Sequence, residues 1–136
     1  MVDISINVAG VKFDNPLFAA SGQATNFGEK IKKLALEGKP GGVFTKSVSV
    51  DTAQKWGRGA KQPTPLCWPW MTGEGRLGMN VICAKGEPYT CDDWFETEMA
   101  IARKGGVPII PSVSGSHNLA EWAYLAPNFE QAGAVM

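Results

Sequence analysis

Apolar and polar residues alternate at the start of the chain. Ile4, Ile6 and Val8 are separated by Ser5 and Asn7, and Val11 and Phe13 flank Lys12. This period of two, with Gly10 between the runs, predicts a β-hairpin over residues 3–14 with one buried and one wet face. Asn15-Pro16 breaks the pattern. Leu17-Phe18-Ala19-Ala20 is then apolar at every position, as in a strand covered on both faces, and ends in Ser21-Gly22. Phe27, Ile31, Leu34 and Ala35 recur at helical spacing, which predicts a helix from about Thr25 to Glu37 with Gly38 as its left-handed stop. A second apolar strand, Gly42-Val43-Phe44-Thr45, ends in Lys46-Ser47.

Residues 49–89 show no sustained period. They are dense in glycine and proline and carry Trp56, Trp68 and Trp70, so they read as one long irregular loop of the lid or binding type, with the tryptophans as packing anchors. The strand–helix rhythm then resumes. Thr90 and Asp93 have capping-box spacing, and Phe95, Met99 and Ala102 share a helical face before Gly105-Gly106. Pro108 to Val113 reads as a third buried strand ending in Ser114-Gly115. A helix opened by Asn118 turns Trp122, Leu125, Ala126, Phe129 and Ala132 inward, with a kink or restart at Pro127. Gly133 ends it, and Ala134-Val135-Met136 begins a fourth strand.

Strands alternating with helices imply a parallel sheet flanked by helices. An open doubly wound sheet and a closed barrel both satisfy this. Two features favour the barrel: no GxGxxG follows the first strand, and small or polar residues end each strand, at the face where barrel enzymes gather their chemistry. A full (β/α)₈ barrel takes roughly 250 residues. These 136 residues are therefore read as one partial domain, the N-terminal half of a barrel carrying an N-terminal hairpin. The open strand edges of such a half predict dimerisation, aggregation or dependence on the missing half.

Composition narrows the field. Thirteen basic and thirteen acidic residues balance, without the clustered positive charge that nucleic acid or an anionic membrane demands. The amino terminus lacks the basic start and apolar block of a signal peptide, so a cytoplasmic protein is expected. Cys67, Cys83 and Cys91 are widely spaced, and His117 is far from all three in sequence, so free thiols are expected in place of a metal site. Lys46, taken alone, reads as a solvated strand end, and His117 as a surface residue.

Four segments resemble one known family. These are ISINVAGVKFDNPLFAASG (residues 4–22), GGVFTKSV (41–48), GMN (78–80) and PIIPSVSGSHNLAEWAYLAPNFEQAGA (108–134). Together they resemble the N-terminal half of the dihydroorotate dehydrogenases and of the flavin domain of dihydropyrimidine dehydrogenase. The resemblance implies an FMN-dependent oxidoreductase that transfers a hydride between flavin and a C–C bond of a pyrimidine-type ring. It also implies that Ala20, Ser21 and Gly22 let the backbone approach the flavin ring. Lys46 would stand at the flavin's pyrimidine edge, flanked by the hydroxyls of Thr45 and Ser47. Asn80 would contact the substrate, and Ser114 and Gly115 would line the pocket. The catalytic base is expected beyond Met136, on the fourth strand, so this chain by itself is expected to be inactive. A homo-oligomer or an electron-transfer partner subunit is the expected assembly. The family's second loop asparagine has no counterpart, since Val81-Ile82-Cys83 follows Asn80. A non-catalytic interaction module, or another phosphate-binding barrel enzyme, are the alternative readings.

Overall fold

The computed structural model describes residues 2–50, 66–71, 77–82, 90–114 and 119–136, the two short middle stretches by their backbone alone. Among them the amino-terminal alternation forms the hairpin: β1 (Ile6–Val8) pairs antiparallel with β2 (Val11–Phe13), Val8 opposite Val11. Ala9 (φ 50°) and Gly10 (φ 83°) make the turn, both with the positive φ that a two-residue hairpin loop requires. Phe13 is buried and meets the edge of the Phe18 ring at 4.9 Å, which ties the hairpin to the next strand.

β3 (Phe18–Ala19) leads through a 3₁₀ turn, Gln23–Thr25, into α1 (Gly28–Gly38). Ile31 and Ala35 bury the stripe that the spacing predicted, with Leu34 packed beside them. The helix stops one residue later than expected. Lys39 (φ 45°), and not Gly38, takes the left-handed cap and donates its N–H to the Ala35 carbonyl. The cause is Pro40, because a residue preceding proline is pushed out of the right-handed helical region. The Asn15 amide donates to the Lys39 carbonyl at 3.1 Å and holds the cap.

β4 (Gly42–Phe44) pairs in parallel with β3. The stretch read as wholly irregular contains a second hairpin, β5 (Leu66–Met71) antiparallel to β6 (Leu77–Ile82). Its strands lack a clean period of two, and their glycines and prolines hid them from a reading based on periodicity.

α2 runs continuously through three segments, Cys91–Asp93, Trp94–Glu98 and Met99–Arg103. Its start is the predicted capping box: the Thr90 hydroxyl accepts the Asp93 N–H at 3.0 Å, and the Asp93 carboxylate accepts the Thr90 N–H at 2.7 Å. The middle segment is a wider π-type turn, which turns both Trp94 and Phe95 toward the interior. Met99 and Ala102 are fully buried, as their spacing predicted. Glu98 is buried too, and its carboxylate accepts the Gly28 N–H at the start of α1, where an anion meets unpaired helix amides.

β7 (Ile109–Ile110) completes a parallel sheet in the order β3-β4-β7. The carbonyls of Pro108, Ile110 and Ser112 accept from Val43, Thr45 and Val48 on the β4 side. Carbonyls alternate in direction along a strand, so that of Ile109 points to the opposite edge, where it accepts the Val135 N–H at 3.2 Å. α3 (Leu119–Gln131) runs through Pro127 as one helix, so of the kink or restart expected there the restart does not occur. It buries Leu125 and Phe129, while Trp122 and Ala126 are exposed, contrary to the inward placement expected of them. At about 100° per residue Ala126 falls about 60° to one side of Phe129, whereas Trp122 shares the face of Phe129 but sits two turns nearer the start of the helix.

Candidate functional site

The strand ends named from sequence lie next to one another because their strands are neighbours. Parallel strands place all their C-terminal ends at one rim, here Ala20-Ser21-Gly22 after β3, Thr45-Lys46-Ser47 after β4 and Ser112 to Ser114 after β7. Ala20 and Ser21 are exposed and Gly22 is half-buried. The Gly22 backbone is extended (φ 179°), a conformation open to any residue, and a Cβ built there meets nothing nearer than the Ala20 carbonyl at 4.0 Å. Neither strain nor crowding within the described residues requires a glycine at this position.

The second strand end is irregular. Thr45 N–H donates to Ile110, and the next donor to β7 is Val48, to Ser112. Three residues on one strand thus span two on the other, which is a one-residue bulge at Lys46-Ser47. Without it, side-chain alternation would carry Ser47 into the core after Val43 and Thr45. With it, Val48 takes that buried place, Lys46 is half-exposed and Ser47 is exposed. Ser47 Oγ lies 3.0 Å from Ser112 Oγ. Thr45 is fully buried, and its hydroxyl accepts the Ser112 N–H at 3.0 Å, inside the sheet.

One residue linking the first two strand ends escaped the sequence reading. Thr25 is fully buried. Its hydroxyl accepts the Gly22 N–H at 3.0 Å and has the Gly22 and Ala20 carbonyls at 3.2 and 3.4 Å as acceptors, while its own carbonyl accepts the Lys46 N–H at 2.8 Å. A threonine at a helix start is a recognisable signal for local capping, but not for a bond to another strand. Ser112 was missed as well, hidden within an apolar strand.

Ser114 is exposed and its N–H donates to Val48. Gly115, His117, Asn118 and Trp56 lie outside the described residues. Asn80 lies on β6 opposite Trp68, and the side chains of both, with those of Trp70 and Cys67, lie outside the described set, as does Cys83. Cys91 is a buried free thiol, pushed up in pKa first by burial and then by the neighbouring Asp92 charge, which keeps it protonated and unreactive. Among the described residues no cluster of three or more His, Cys, Asp or Glu side chains could hold a metal, and no helix is long and apolar enough to cross a membrane. A cavity of about 500 Å³ adjoins the β7 end of this rim, lined by Pro111, Val113, Phe129 and Val135 among others. Its walls are mainly apolar, and it lies on the side of β7 that Val135 occupies.

No protein-family model matches the chain. The chain is 32% identical over 133 residues to the catalytic subunit of dihydroorotate dehydrogenase B (NAD(+)) of Thermoplasma volcanium, a match covering 98% of this chain and 39% of that protein. The subunit of the same name from Methanocella arvoryzae is 31% identical over 113 residues, 83% of this chain and 33% of that protein. That from Pyrococcus furiosus is 30% identical over 132 residues, covering 97% and 39%. The chain spans between a third and two fifths of the length of these curated relatives, and the resemblance carried by its motifs is borne out.

Proposed function

We propose that this chain, which belongs to the dihydroorotate dehydrogenase family, forms the first three strand ends of an FMN seat in a (β/α)₈ barrel oxidoreductase. The observation that carries this reading is the shared rim of β3, β4 and β7, where small residues, hydroxyls and one lysine meet. The Val135–Ile109 hydrogen bond supports the barrel: the chain after α3 joins the free edge of β7, whereas a dinucleotide-type sheet would send its fourth strand back beside the first.

The residues present fit a flavin. Among the described residues the space at Gly22 is open, and a flat ring can approach the exposed Ala20-Ser21 backbone closely. Ser47 and Ser112 offer hydroxyls, and Lys46 brings a fixed positive charge that favours negative charge at the rim. Thr45 supports the rim from within the sheet, Ser114 stands at its third strand, and the family resemblance assigns the next residue, Gly115, to the pocket lining. When bound, FMN supplies two-electron chemistry, here with a C–C bond of a pyrimidine-type ring. Asn80, with one donor and one acceptor group on its amide, matches the edge of a cyclic imide.

The test is a titration. FMN added to the purified protein should lose its fluorescence in a saturable, one-to-one manner, and protein isolated with its cofactor should be yellow. Colourless protein that leaves FMN fluorescence unchanged contradicts the proposal.

A further inference from the structure

We propose that Thr25 is a positioning residue for Lys46, a role that rests on the flavin reading of the rim. Val43 and Thr45 donate toward β7, so by alternation the Lys46 N–H faces the β3 side, where β3 has already ended at Ala19, and a backbone amide without a partner is costly. Thr25 supplies the partner: its carbonyl accepts that N–H at 2.8 Å. Its hydroxyl meanwhile holds the Gly22 N–H at 3.0 Å. One fully buried residue thus binds the Gly22 backbone on one side and the backbone of the lysine on the other. The backbone that carries Lys46 is thus held from the turn after the first strand, while the bulge beside it is set by the bonds of Thr45 and Val48 to β7. Thr25 touches neither substrate nor cofactor. It acts through the relative placement of Gly22 and Lys46, so its removal should loosen both together.

The experiment compares Thr25→Val and Thr25→Ser in the intact protein, alone and combined with Lys46→Ala. FMN affinity is read by fluorescence quenching, folding by thermal melting, and Gly22 and Lys46 amide protection by hydrogen exchange. Thr25→Val, which keeps the shape and the backbone carbonyl and loses the hydroxyl, should weaken FMN binding about tenfold, expose the Gly22 amide directly and lower protection at the Lys46 amide through the loosened Thr25 backbone, while Thr25→Ser behaves as the parent. In the Lys46→Ala background most of the Thr25→Val effect on binding should vanish, the mark of one residue acting through another. An equal loss in both backgrounds, or no loss in either, overturns the proposal. Should Thr25→Val fail to fold, Thr25→Ser against Thr25→Ala isolates the hydroxyl in the same way. A parent protein that binds no FMN overturns the flavin reading instead. Exchange then decides Thr25 separately: protection lost in Thr25→Val and kept in Thr25→Ser supports the positioning role, and equal protection overturns it.

Discussion

The two ends of the parallel sheet are built on opposite plans. At the N-terminal end, glycines are there because nothing larger fits. A Cβ at Gly41 would overlap the Asn15 carbonyl, one at Gly42 would come within 2.8 Å of the Phe18 ring, and one at Gly105 within 2.6 Å of the Ala35 Cβ. The Asn15 carboxamide oxygen accepts from both Leu17 and Gly41 at 3.0 Å, stitching the approaches to β3 and β4 together. At the C-terminal end, among the described residues, Gly22 has open space and polar side chains face outward. One end is packed for stability and the other is left open with its donors on display. A barrel enzyme divides its two faces in this way.

Substitutions can test that division. The largest effect is expected at Gly41→Ala, which forces a methyl into the Asn15 backbone. It should cost about 3 kcal/mol or more in chemical denaturation, and a wild-type midpoint would break the contrast. Glu98→Ala strands the Gly28 amide in a buried site and should cost about 1–3 kcal/mol in the same assay. Lys46→Ala belongs to the other class. It should leave stability within about 0.5 kcal/mol and weaken FMN binding about ten- to a hundredfold in titration. Ser112→Ala should do least, a few-fold loss of FMN affinity with unchanged melting, because its hydroxyl partner Ser47 is exposed and can turn to water.

Much of the packed plan could be read from the chain. The stripe of Ile31 and Ala35, the Thr90–Asp93 box and the apolar strands at Val43 and Ile109 follow from period and capping chemistry, which act within a few residues. The strand ends of the rim were legible too, through the switch from apolar to small and polar residues. What was not legible depends on partners distant in sequence. The bulge at Lys46-Ser47 exists because Val48, and not Ser47, meets Ser112, and the pull on the Lys46 amide comes from Thr25. Trp122 has the spacing of a core residue, seven before Phe129, but in the first turn of α3 it is left 41% exposed. Trp94 was passed over although it stands three residues after the buried Cys91 and four before the buried Glu98, because the polar Glu98 hid that stripe.

The most direct test of the open rim is to fill it. Gly22→Val adds a branched side chain on an extended backbone, at a position where no described atom comes within 4 Å of the added Cβ apart from the Ala20 carbonyl at that limit. FMN titration and thermal melting of this variant should give a parent-like melting curve and no saturable flavin binding. Parent-like flavin affinity with the valine in place would contradict the assignment of this rim as the flavin seat.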